Sequence, residues 1–209
     1  MNRLIVEKAS FAGWIERLLG SHQVVAPVAE PEGALRFRAV TAPDQVVLNG
    51  GKAMRSPKEH LIPQTEGLLT FGGAGASMTL AALGLQPTPR VILGARPCDA
   101  RACATLDDVF LARDPQDTRY GVRRDNTLMV GLACNKPGWG CFCTTVGGSP
   151  AGTDGSDLLL TDLGDRYHVA VVTDAGRALV QDSGFGKAKD PDREAAEALH
   201  QQAATQMKA

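Results

Sequence analysis

The sequence predicts an α/β fold: a mixed sheet with a parallel strand–helix–strand core, flanking helices and an antiparallel hairpin. Three observations carry that expectation. Arg90 to Ala95 and Thr127 to Ala133 are largely apolar runs of strand length, the pattern of strands covered on both faces of a parallel sheet. Between them, Pro97 to Ala112 has helical spacing. Pro97 suits a first-turn position, and Ala102, Leu106, Val109 and Phe110 supply a buried face. Farther on, Asp157 to Asp162 and Arg166 to Val172 are strand-like runs separated by Leu163-Gly164-Asp165, a hairpin signature.

The remaining elements are read in order. Residues 7–20 place Phe11, Trp14, Ile15, Leu18 and Leu19 at helical intervals, with Gly20 as the stop. His22 to Val28 and Leu35 to Val40 read as short strands, punctuated by Pro27, Pro31 and Gly33. Residues 41–67, broken by Pro43, Pro57 and Pro63, read as irregular, with a short helix near Pro57–Leu61. Leu68 to Phe71 is another strand-like run. The glycine-rich stretch after it, Gly72-Gly73-Ala74-Gly75-Ala76, lacks the spacing of a dinucleotide fingerprint and reads as a flexible or inserted linker. The crossover between the two central strands threads Tyr120 and Arg123-Arg124, and its expected hand is right. Residues 174–183 and the Ala-, Glu- and Gln-rich 190–206 read as helices. The apolar face of the second is thin, so a partner surface is needed to bury it.

At 209 residues, the chain is long enough for one α/β domain with its own core. A net charge of −1 gives no support to nucleic-acid binding. The start, Met1 to Lys8, lacks the long apolar stretch of a secretory signal, and no run is long enough to span a bilayer, so the expected location is cytoplasmic. In that reducing setting, clustered cysteines suit metal ligation better than disulfides.

The cysteines carry the chemistry. Cys98 follows the Arg90–Ala95 run, and Cys134, Cys141 and Cys143 fall within ten residues after the Thr127–Ala133 run. Adjacent parallel strands would bring Cys98 toward the other three, because sites assemble at the carboxyl ends of such strands. Thiolates at this density among glycines are what an iron–sulfur cluster requires. Either [4Fe–4S] or [2Fe–2S] uses four thiolates, and a four-thiolate zinc site is the chemical rival. A cysteine-dependent enzyme is a third possibility, weakened because His22, His60, His168 and His200 lie far from these segments.

Glycines 138, 140, 147 and 148 would let the backbone wrap a cluster and donate N–H groups to sulfur. Phe142 and Trp139 would shield it. Arg96, Asp99 and Arg101 read as an ion-pair set steadying the Cys98 loop, and Asp162 as a turn residue within reach of the cluster loop. Cys103 is read as a small buried hydrophobe.

The segments Gly94-Ala95-Arg96-Pro97-Cys98-Asp99-Ala100-Arg101-Ala102, Gly131-Leu132-Ala133-Cys134, Cys141-Phe142-Cys143-Thr144-Thr145-Val146-Gly147 and 157–164 resemble a known family. It comprises the iron–sulfur electron-transfer proteins typified by the beta subunit of sulfhydrogenase and by the corresponding iron–sulfur subunit of anaerobic sulfite reductase. Weaker patches at 56–58 and 62–66 extend the likeness over most of the chain. The resemblance implies one cluster on Cys98, Cys134, Cys141 and Cys143 within residues 1–189. Residues 190–209 would then be a helix or linker toward a ferredoxin-like domain. That domain needs about eight further cysteines, and none follows Cys143, so a cut-down form or clusters supplied by a partner is expected. The implied partners are a flavin- and nicotinamide-binding subunit, a ferredoxin-like protein, or a catalytic hydrogenase or reductase subunit.

Overall fold

The computed structural model of the chain describes residues 3–49 and 51–207. Met1, Asn2, Gly50, Lys208 and Ala209 lie outside the described residues; they belong to the N-terminal start, the irregular stretch and the C-terminal segment considered above. The elements are β1 (Arg3–Glu7), α1 (Lys8–Leu19), β2 (Gln23–Ala29), β3 (Leu35–Ala39), β4 (Leu69–Gly72), β5 (Thr79–Ala82), β6 (Arg90–Ala95), α2 (Pro97–Phe110), α3 (Thr118–Asp125), β7 (Thr127–Leu132), β8 (Leu158–Asp162), β9 (Arg166–Val171), α4 (Asp174–Val180), β10 (Gly186–Lys187) and α5 (Asp190–Gln206). Eight strands form one mixed sheet in the order β10-β1-β9-β8-β7-β6-β2-β3, and β4 with β5 forms a separate antiparallel ribbon.

The parallel core is β2, β6, β7 and β8. Its inner strands carry almost no polar side chains because both faces are covered. Val91 and Leu93 point to one side and meet Phe11, Trp14, Ile15 and Leu18 of α1. Ile92 points to the other, with Val25 and Met129, and meets Ala100 and Cys103 of α2 and Tyr120 of α3. This is the two-residue alternation of a strand read against helices on both faces. Each large apolar side chain so enclosed contributes about 1.5–3 kcal/mol. Helix α1 has no side-chain cap at Glu7, so its packing face rather than its end holds it, and it stops at Gly20 as expected.

Asp157 joins three elements just before β8. Its Oδ2 accepts from the Met129 N–H at 2.7 Å and its Oδ1 from the Thr173 hydroxyl at 2.6 Å. Thr173 in turn accepts from the Gly176 N–H and caps α4.

Several expectations are corrected. Strands β1 and β10 have no counterpart in the sequence expectations, being short and at the sheet edge. Helix α3 stands where the sequence suggests only a connection; its apolar contribution is Tyr120 alone, and Asp117 caps it by accepting from the Arg119 and Tyr120 N–H groups. Val109 is exposed, and Ala102 only half-buried. The buried face of α2 is instead Pro97, Ala100 and Cys103, with Leu106 and Phe110 packed at its margin. The glycine-rich run is not a linker but the turn of the β4–β5 ribbon. Helix α5 finds its partner surface in the sheet, packing on β9 through Ala196 and Ala203. Alanines allow close approach, and polar contacts complete the seam: Arg166 to Asp192 at 3.1 Å and Thr161 to His200 at 2.9 Å.

Candidate metal centre

β6 and β7 run parallel and leave the sheet together, Ala95 beside Gly131. A register shift falls between Leu93 and Ala95, where Gly94 adopts φ +84°. A side chain there would be strained and would meet Leu48 and Pro27. The bulge re-aims the end of β6. Cys98 therefore falls in the first turn of α2, while Cys134 follows β7 directly, its N–H donating to the Pro150 carbonyl at 2.8 Å. Cys141 and Cys143 lie farther along the loop that joins β7 to β8. All four line one cavity of about 490 Å³, together with Lys52, Arg101 and Met207.

Three cations stand near the site, two of them tied to backbone. Arg96 donates to the Ala133 carbonyl at 3.1 Å and to the Gly51 carbonyl at 2.7 Å. It thus fastens the end of β7 to the segment bearing Lys52, whose ammonium donates to Cys141 Sγ at 3.2 Å. Arg101 donates to the Val146 carbonyl at 2.9 Å and holds the cysteine loop against α2. The expected ion-pair set around Asp99 is therefore replaced by arginine–carbonyl contacts. Only one acidic contact is made by these arginines among the described residues, Arg101 to Asp154 at 4.0 Å.

The thiols sense one another. Burial pushes Cys134 up to about 11; Arg96 opposes this, and charge on Cys98, Cys141 or Cys143 adds to it. Cys98, an exposed residue on the cavity wall, is raised by desolvation, by Asp99 and by Cys143. Cys143 is raised by desolvation and by Cys141. Collecting thiolates here without a bound cation is unfavourable.

Other expected roles shift. The Gly147 and Gly148 N–H groups bond to the carbonyls of Thr144 and Cys143, closing turns rather than meeting sulfur. The Asp99 N–H likewise serves the backbone, donating to the Arg96 carbonyl at 2.9 Å at the start of α2. Trp139 is 101% exposed and absent from the cavity wall, whereas Phe142 lines it with its ring largely in solvent. Asp162 has both expected contacts: its side chain accepts from the Gly164 N–H at 2.8 Å, and its carbonyl from Asn135, next to Cys134, at 2.6 Å. Cys103 is fully buried with its pKa raised to about 11 by desolvation, an inert thiol away from the cavity. Lys52 and Met207 carry no sequence signal of their own. The first stands in an irregular stretch, and the second closes on Cys143, sulfur to sulfur at 3.7 Å, only because α5 folds back.

Among the described residues, no three His, Cys, Asp or Glu side chains form a group that could hold one metal ion. A tetrahedral zinc site with Zn–S near ~2.3 Å would need its sulfurs within about 4 Å of each other. Four thiols face one cavity, with Lys52 and Arg101 on its wall, a donor set that could hold a metal centre. No family model, curated protein or solved structure matches the chain. Among the described residues no helix is long and apolar enough to cross a membrane.

Proposed function

We propose that the chain is an electron-transfer domain carrying one iron–sulfur cluster, of the [4Fe–4S] type, on Cys98, Cys134, Cys141 and Cys143. It would relay single electrons within a multi-subunit oxidoreductase of the hydrogenase or sulfite reductase type. The observation that carries this reading is the meeting of four thiols from two adjacent strand exits on one cavity wall. Such a cluster supplies reversible one-electron chemistry at a potential set by charge, hydrogen bonds to sulfur and exposure. The chain's own residues supply the rest. Lys52, Arg96 and Arg101 offset thiolate charge, and the parallel sheet fixes where the thiols stand. For the electron partner, the resemblance noted in the sequence supports a flavin- and nicotinamide-binding subunit, a ferredoxin-like protein or a catalytic subunit.

A four-thiolate zinc module is the rival reading, and metal content separates it from a cluster. A nucleophilic cysteine needs a lowered pKa, whereas Cys98, Cys134 and Cys143 are all raised.

The test is iron and sulfide analysis with electron paramagnetic resonance on anaerobically purified, dithionite-reduced protein. About four irons per chain and a reduced-cluster signal are expected, lost in Cys98→Ser and Cys134→Ser but kept in Cys103→Ser. A colourless protein binding one zinc, or iron content indifferent to Cys134→Ser, overturns the assignment.

A further inference from the structure

Among the described residues the β4–β5 ribbon stands apart from the main sheet, its two strands pairing with each other alone. Its register places Leu69 opposite Ala82 and Phe71 opposite Leu80. Strand alternation therefore gathers Leu69, Phe71, Met78 and Leu80 on one face, and Thr70, Thr79 and Ala81 on the other, where Leu68 and Leu83 lie at the root of the ribbon. That is the pattern of a half-covered sheet, yet the apolar face is bare. Leu69 is 55% exposed, Phe71 78%, Met78 64% and Leu80 68%. From Gly67 to Pro89 the sequence has no charged residue.

The base of the ribbon is built rather than loose. Arg119 donates to the Leu83 carbonyl at 2.8 Å and to the Gly67 carbonyl at 3.1 Å, bridging the two strands where they leave the body. It also bonds Glu66 at 2.7 Å, which Arg123 grips at 2.6 Å. An arm clamped at its root but bare along its length is a surface waiting for a cover, since a two-stranded ribbon alone is marginal in water.

We propose that the cover is the same face of a second copy, so that the chain forms a two-fold dimer through its β4–β5 ribbons. An aromatic side chain withdrawn from water removes about 150–250 Å², and an aliphatic one less. Scaled by the exposures above, complete cover of the four residues supplies at most roughly 500 Å² per copy, so two copies approach the roughly 1,000 Å² of a small specific interface. A face with no charge carries nothing to steer a different, charged partner. Two identical apolar faces are self-complementary about a two-fold axis, and ribbons stacked face to face pack as sheets do, about 10 Å apart. A lipid surface is the poorer cover, because the open strand edges would leave N–H and C=O groups unpaired in hydrocarbon.

Sedimentation velocity on the full chain, from about 1 to about 200 µM, tests this in the micromolar range expected of a small interface. Wild-type protein should pass from monomer to dimer with concentration. Phe71→Asp and Leu80→Asp should weaken dimerisation at least tenfold, while Thr70→Asp on the opposite face leaves it unchanged. Circular dichroism should be the same for all, since the ribbon is outside the main sheet. Replacing residues 68–83 with a short Gly-Ser turn should give a monomer that keeps its cysteine site. A wild-type monomer at every concentration, a dimer surviving Phe71→Asp, equal loss on Thr70→Asp, or binding to neutral lipid vesicles by a monomer overturns the proposal.

Discussion

Acidification should destabilise this protein through His168, a residue remote from the cysteines. Its side chain on β9 is 1% exposed, and Nε2 finds no hydrogen-bond partner among the described residues. Burial holds its pKa down, and Arg3, His200 and Arg193 act in the same direction while Asp192 opposes them; the pKa falls from 6.5 to about 4. The folded state therefore keeps the ring neutral, whereas the unfolded chain takes up a proton as the pH falls through 6.5. Stability from this group is complete above 6.5, is lost progressively between 6.5 and about 4, and changes no further below. At about 1.36 kcal/mol per pH unit the loss is about 3 kcal/mol, a large part of the ~5–15 kcal/mol typical of a domain. Urea unfolding of wild-type protein and His168→Gln, at pH values from about 7 to about 4, isolates the effect from carboxylate titration. The stability gap between the two proteins should shift by about 3 kcal/mol against wild type across that range. Parallel pH profiles, or an imidazole titration by NMR with its midpoint near the ordinary histidine value, would refute the reasoning.

Two further outcomes follow from the loops that frame the site. Gly155 has φ +76°, and a side chain there would strike the Ala100 backbone in α2. Gly155→Ala should cost more than about 2 kcal/mol in urea unfolding, combining left-handed strain with displacement of the helix start. Arg96→Met removes the contacts to Ala133 and Gly51. It should cost about 2–3 kcal/mol and raise amide exchange in both segments, while the exchange of β9 stays as in wild type.

The central sheet was legible because its signal is redundant. Val91-Ile92-Leu93 and Met129-Val130-Gly131-Leu132 are apolar on both sides, and that happens only where helices cover both faces. The convergence of Cys98, Cys134, Cys141 and Cys143 on one cavity was legible from the chain path, because two neighbouring parallel strands exit toward them. What stayed hidden depends on contacts distant in sequence. Arg96 looks like a partner for Asp99 three residues on, but folding offers it the Ala133 and Gly51 carbonyls instead. The run Leu68 to Phe71 announces β4, but the glycines that follow it read as a linker and hide its partner β5. The alternation of the two strands becomes visible only once the register sets Phe71 against Leu80.

Strand order also explains why the thiols stand at this end of the sheet and not elsewhere. Parallel neighbours β6 and β7 must both be left in the same direction, so whatever follows them is juxtaposed without further design. The bulge at Gly94 and the clamp of Arg96 then convert proximity into a fixed wall. The surrounding charges complete the argument. Burial and mutual repulsion push three of the four thiols toward the protonated form, while Lys52 donates to the fourth. Such a site resists its own ionisation. Under the proposed function it would become a favourable set of thiolates when multivalent positive charge enters, because a metal deprotonates a coordinating thiol outright. Loading the cavity should therefore release protons, and calorimetric titrations in buffers of different ionisation enthalpy would register their number.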